Sequence, residues 1–437
     1  MPVDRRQFVG RLAGAAVAAP LAVRTTKAAA PQAAQTGTAP FDLPKVSALS
    51  TLLAEDALAV MDFIPAEHHA SIRDGTCRED LAPSINQAVR AVLSRAGGGI
   101  LFFAAGTYPV SEIDATNDDP AQFYVALRIV GAGRLSTRIV PARTGAILLN
   151  AAGRNSMTVE AIQFFSHEYE SAIGILLART ESSPNAAGNQ FRDVLVNGNF
   201  AIAPVVSIAA ETTSWQGCQF GNNNPKSGHR CFITSGYPSA VRWPAPGGRT
   251  LVRGPNTGNA MIDCIFDCPY DGATPILFAG EAAYGMVQCS ILGGEASNTR
   301  LVQYRPRDGV FSGPVTWINS HFEAVGSGTI VHALDVPIGA SHIRGINNYS
   351  GNYVVATGAA LLSYTGSAQA QAVLLGSTWT VPNVPWGSSD LRFAVFGLSE
   401  SRIDLALGDG VERVVISGFS KSSEVRAARK MIAQILP

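Results

Sequence analysis

WQGCQF (Trp215–Phe220), MIDCIF (Met261–Phe266) and MVQCSI (Met286–Ile291) are one pattern written three times. Each has apolar residues at positions 0, 3 and 5 and a polar or small residue at position 2. The pattern extends outward in both directions. It fits Val159/Ile162/Phe164, Phe191/Val194/Val196, Trp317/Ser320/Phe322 and, more loosely, Ile343/Ile346 and Leu374/Ser377/Trp379. Successive starts lie 24 to 32 residues apart, with one interval of 46. Position 2 holds Asp193, Gly217, Asp263, Gln288, Asn319 and Gly345, residue types suited to a tight turn between two strands. A further apolar run precedes most repeats: Ile173–Leu177, Val205–Ile208, Pro275–Phe278, Leu301–Tyr304, Thr329–His332 and Leu361–Tyr364. Two or three strands per turn of roughly 25 residues predict a parallel solenoid, in which each coil buries only what its neighbours cover. Hairpin turns of a β-sandwich would not hold this register.

The segment IRDGTCREDLAPSINQAVRAVLSRAGGGILFFAAGTYPVS (Ile72–Ser111) precedes the repeats. Ile85, Val89, Val92 and Leu93 form a helical apolar stripe over 80–95, ended by Gly97–Gly99. Ile100–Phe103 with Gly106-Thr107-Tyr108 then read as a first coil, and LRIVGAGRLSTRIV (Leu127–Val140) as a second. This opening resembles that of the pectate-lyase superfamily, although Ala104 or Ala105 stands where the family usually has proline. The resemblance implies an all-β fold, a single-stranded right-handed parallel β-helix with an N-terminal capping helix. Such a fold in an exported bacterial protein implies a carbohydrate substrate.

Arg5-Arg6-Gln7-Phe8-Val9, the uncharged run Leu12–Val23 and the following Arg24 and Lys27 read as a twin-arginine export signal over 1–30, which implies the Tat machinery as a partner and a secreted or periplasmic destination. The apolar run is short for a membrane span, and no later stretch approaches one. Residues 31–55 read as a linker, 56–420 as the β-helix with an insertion at 235–259, and 421–437 as a C-terminal helix with Val425, Met431, Ile432 and Ile435 apolar. The 33 basic and 33 acidic residues cancel, so no net field recruits nucleic acid. Assembly with further copies of the chain stays open.

In a solenoid, equivalent positions stack about 4.8 Å apart, so chemistry appears in columns. The column after position 5 reads Phe165, Asn197, Gly221, Asp267, Leu292, Glu323, Tyr349. Asp267 and Glu323, two coils apart, suit an acid and base with water between them. Alternatively they are solvated carboxylates at a strand edge. His321 and His332 are candidate proton-transfer groups in the same stretch. Arg305 and Arg307 are candidate clamps for a substrate carboxylate. Trp243, Tyr270 and Tyr304 are candidate sugar-stacking platforms, and Glu295 completes the set. The site is expected on the face of strands 301–304 and 329–332 and the turns carrying Asp267, Glu295 and Glu323, with the insertion as a lid. Cys218, Cys264 and Cys289 share position 3 and read as a buried thiol stack, of which Cys264 and Cys289 are placed to oxidise. No cofactor is required and no metal site is evident, although a calcium ion is compatible.

Beyond the opening, the pectate-lyase and polygalacturonase catalytic motifs are missing; Gly228-His229-Arg230 and Arg402-Ile403-Asp404 only echo two of them. The function expected is therefore broad. It is cleavage of a polysaccharide or oligosaccharide by a lyase or glycoside hydrolase, with two alternatives: a non-catalytic glycan-binding or structural β-helix, or a sugar transferase or epimerase.

Overall fold

The computed structural model describes residues 57–305, apart from 120, 121, 123, 184, 185, 241–248 and 294–299, and then the strands from Val315–Ile318 to Ala433–Leu436. Side chains are described as far as Gln303, except at Ala240 and Arg300, and at Val315 and Ser320. The chain divides after Thr51, and everything described belongs to the unit 52–437. The export signal (1–30) and the linker (31–55) lie outside the described residues.

Each strand pairs in parallel with the strand one coil earlier and the strand one coil later, which makes a right-handed parallel β-helix. One coil runs Gly98–Phe103, Gly106–Val110 and Glu112–Asp114, and the next Ala126–Gly131, Thr137–Pro141 and Ile147–Ala152. These three positions define a first, second and third face. Met157–Ala178 and Gln190–Ile208 each run through all three. Three-stranded coils continue to Leu362–Thr365. From Ala370–Leu375 onward, the described strands alternate between the first and third faces alone.

The repeating pattern has a direct geometric cause. Position 0 forms one stacked column, with Phe191, Trp215, Met261, Met286 and Trp317 in register. Position 5 forms another, from Phe164 and Val196 through Phe220, Phe266 and Ile291 to Phe322. The Phe191 and Trp215 rings stack at 3.9 Å and 10°. Between the two columns the chain turns from the first face to the second through one residue at positive φ: Ala161, Asp193, Gly217, Asp263 and Gln288 in successive coils. A single left-handed residue turns the backbone sharply while leaving its own side chain outside, so positions 0 and 3 both stay inside.

The helix expected over 80–95 is Ala82–Leu93, with Ile85, Val89, Val92 and Leu93 buried. Two polar side chains tie it to the first coil. The Asp80 carboxylate accepts from Ala82 N at 3.1 Å and Ser111 N at 2.8 Å. Asn86 donates to the Glu112 carbonyl and accepts from Asp114 N at 2.8 Å, so it occupies backbone groups of an edge strand.

Two expectations change. Residues 421–437 are not one helix: Glu424–Ala427 pairs with Arg402–Leu407, and Ala433–Leu436 with Arg413–Ser417. An open parallel edge offers every backbone group a partner and overrides a weak helical pattern. Ile343 pairs with Val315, which leaves Gly345 opposite Trp317, so the loose repeat there is displaced by two residues. Tyr349 accordingly lies opposite His321 rather than Glu323. In addition, outward positions of the third face are apolar. Leu176, Val206, Ile233 and Leu277 share one buried column in a second hydrophobic cluster, with Ala178, Ile208 and Ala279 beside them.

The left-handed turn gives a stability prediction at Gln288, which is exposed and has φ of 54°. Gln288→Val should cost about 1–2 kcal/mol, because a β-branched residue is poorly tolerated at positive φ. Gln288→Gly should melt at or above the parent temperature. Thermal melts followed by circular dichroism check both, and equal melting of the two variants would refute the assignment.

Candidate functional site

The outer surface of the second face carries the column anticipated from the sequence. Phe165, Asn197, Gly221, Asp267, Leu292 and Glu323 follow one another in register. Asp267 ends the strand Ile265–Asp267 and Glu323 lies within His321–Ala324, so both are strand residues rather than turn residues. Asp267 is half-buried, and burial alone pushes its carboxyl pKa upward. Its carboxylate makes no hydrogen bond or ion pair with a described residue.

The chain leaves this column through corner loops that lead to the third face. In the coil before Asp267, Asn222 builds the loop. Its amide donates to the carbonyls of Phe200 and Arg230 and to Ser227 Oγ, and its oxygen accepts from Phe200 N and Asn224 N. Asn224 in turn donates to Glu170 at 2.5 Å, which links this loop to that of an earlier coil. His229 sits in the loop at a φ of 49°, nearly buried, with Nδ1 3.4 Å from the Asn222 carbonyl. Burial pushes its pKa down, so the neutral imidazole is favoured. Its ring stacks on Tyr270 at 4.5 Å and 19°. Tyr270 follows Asp267 by three residues, is 39% exposed, and donates its hydroxyl to Asn223 Oδ1.

Three strands towards the N-terminus, the same column runs into a cleft of about 270 Å³. Arg138, Val140, Phe165, His167, Tyr169 and Arg78 are among the residues that line it. The His167 ring stacks on Phe165 at 5.3 Å. Arg78 pairs with Glu168 at 2.9 Å, whereas Arg138 has no partner among the described residues.

The remaining expected residues divide between faces. His321 and Glu323 belong to the second face; Tyr304, Arg305 and His332 belong to the third, opposite Phe278, Ala279 and Gln303. Tyr304 thus occupies the register position of the core residue Phe278. Trp243, Glu295 and Arg307 lie outside the described residues. Residues 241–248 of the insertion expected as a lid lie outside the described residues. The insertion's described end reaches back to earlier coils, where Arg249 pairs with Asp118 at 2.7 Å, Leu251 bridges Thr180 and Val252 donates to the Arg179 carbonyl. That ion pair and the packing of Leu251 into the second hydrophobic cluster draw it there. Sequence reasoning dismissed His229, whose neighbours give no signal of the Tyr270 stack. Among the described residues, no group of three or more His, Cys, Asp or Glu is placed to hold a metal ion.

No protein-family model matches the chain, and no curated protein matches it. Among solved structures, ORF18 of Geobacillus virus E2 is similar at 16% identity and a TM-score of 0.47, over 84% of this chain and 63% of the viral one. The chain therefore spans less than two-thirds of that protein. The A-module of the Azotobacter vinelandii mannuronan C-5 epimerase AlgE4 is similar at 12% identity and a TM-score of 0.47, over 87% of this chain and 97% of the module. A DFA-IIIase from Arthrobacter chlorophenolicus A6 without its lid is similar at 13% identity and a TM-score of 0.41, over 86% and 99%.

The raised pKa of Asp267 has a consequence with a fixed sign. The folded chain holds the proton more tightly than the unfolded chain, so stability is lost as pH climbs from the ordinary carboxylate value through the raised one. Asp267→Asn should match the parent melting temperature below about pH 4, where both forms are neutral, and exceed it at neutral pH. Melting curves across pH test this. A variant that melts lower at neutral pH would mean that the carboxylate is stabilised by an ionic partner.

Proposed function

We propose that this is an exported carbohydrate-active enzyme that cleaves a polysaccharide or oligosaccharide along the outer surface of the second face. The observation that carries the reading is Asp267: a half-buried carboxyl, biased towards its protonated form and without a described partner. A carboxyl in that state is suited to protonate the oxygen of a leaving sugar. Glu323 is two strands away in the same column, a backbone separation of roughly 9–10 Å. That spacing suits a base which activates water on the opposite side of the sugar ring, as in an inverting hydrolase.

The column also has the length for an extended substrate. Phe165 to Glu323 spans five strand steps, roughly 24 Å, enough for several sugar units. Tyr270 beside Asp267 and Tyr169 beside the cleft are both partly exposed and offer stacking surfaces. Arg138 in the cleft is a cation for an acidic sugar. The arginine pair Arg5-Arg6 supports export by the twin-arginine route. Those exposed tyrosines also support a second reading, a glycan-binding protein without turnover.

Incubation of the mature chain with neutral and uronate-containing polysaccharides separates the readings. Reducing ends without absorbance near 235 nm indicate a hydrolase, reducing ends with it a lyase, and retention on a glycan column without either indicates binding. Asp267→Asn should lower turnover by about 10²-fold or more, with an undiminished melting temperature. Full turnover in both Asp267→Asn and Glu323→Gln would overturn the assignment of the two carboxyls.

A further inference from the structure

Three of the six cysteines lie outside the repeating columns, and two of these, Cys231 and Cys268, sit in consecutive corner regions. Cys231 immediately precedes the strand Phe232–Ser235, and Cys268 immediately follows Ile265–Asp267. Both are fully buried in the main core, and each backbone is fixed by the next coil: Cys231 N donates to the Pro275 carbonyl, and Cys268 N to that of Leu292. Their sulfur atoms are 2.6 Å apart. All six cysteines are free thiols in this structure, and these two hold their sulfurs side by side in one buried corner. The stacked thiols behave differently. Cys218, Cys264 and Cys289 each reach the carbonyl of position 0 one coil back, on Phe191, Trp215 and Met261, at 3.5–3.6 Å.

We infer that Cys231 and Cys268 form a structural disulfide in the mature protein, and that Cys264 and Cys289 do not. Each thiol gives up its proton, and the pair gives up two electrons to a disulfide oxidant such as oxidised glutathione, which leaves as thiols. A buried thiol is a poor nucleophile, so in a chain exported after folding the bond forms outside the cytoplasm, when the corner opens transiently. Once closed over, the same burial keeps reductants away. The link spans 37 residues, including the insertion, and ties the loop that carries His229 to the one that follows Asp267 and carries Tyr270. It does not depend on any reading of what the second face binds.

The test needs no variant to fold. The reduced, denatured chain is refolded with a mixture of oxidised and reduced glutathione, then denatured again with an alkylating agent and no reductant. The expected result is four alkylated cysteines, at Cys77, Cys218, Cys264 and Cys289, with one linked pair of peptides containing Cys231 and Cys268. Refolded Cys231→Ser should show five alkylated cysteines and melt several degrees lower, and Cys268→Ser should melt with it. Six alkylated cysteines in the refolded parent chain, or a Cys264–Cys289 linkage, would overturn the inference.

Discussion

In five successive coils the passage from the first face to the second goes through one residue at positive φ, and that constraint orders the columns built on them. Ala161, Asp193, Gly217, Asp263 and Gln288 all take positive φ there. A non-glycine residue in that region costs on the order of 1 kcal/mol, so the turn persists only because the ladders on either side over-determine it. In return, coils cannot slip by one residue against one another, since that slip would carry Trp215 or Phe220 out of the core. Registered columns follow from this. A side chain on the second face therefore has a defined neighbour one coil away, and Asp267 stands in a fixed relation to Gly221 and Leu292.

The passage from the second face to the third obeys no such constraint. Its loops vary from the bend at 166–171 to the longer excursions at 223–231 and 268–275. Side-chain bonds replace the missing backbone regularity, above all the five made by Asn222. His229, Tyr270, Tyr169 and the Cys231–Cys268 pair all belong to these loops. The division resembles that of other scaffolds: a rigid ladder sets positions, and variable loops beside it supply chemistry.

This division also explains what the sequence disclosed. Position 0, the turn residues and the Asp267 column were legible because they repeat at fixed offsets from apolar residues. The reading failed at Ile343 because strand periodicity is two, so a shift by two residues keeps the same side chains inward and leaves the pattern equally satisfied. Leu176, Val206, Ile233 and Leu277 were missed for a related reason. Runs such as Val205–Ile208 are apolar on both sides, and a continuous apolar run does not say which residues face out. The direction of the insertion depends on Arg249 meeting Asp118, a pair 131 residues apart that no local pattern announces. Proximity of Cys231 to Cys268 depends likewise on two irregular corners.

What separates Asp267 from the other described carboxylates is how their charge is handled. Glu160 is held by Arg128 at 2.7 Å and approached by Arg192, and Asp193 pairs with Arg134. In Asp74, hydrogen bonds from the side chain and backbone of Thr76 pull the pKa down. Burial raises the carboxyl of Glu112, but Asn150 donates to it at 2.9 Å and offsets part of that cost. Burial also raises Glu281, with Arg253 opposing it. Asp267 has burial acting on it and no such compensation. A fold that gives the buried amide of Asn222 five hydrogen bonds has the means to satisfy this group too. An apolar residue at 267 would remove the cost without disturbing the ladder, whose backbone bonds do not depend on the side chain. The carboxyl is therefore unexplained by stability, which is why the proposed function rests on it.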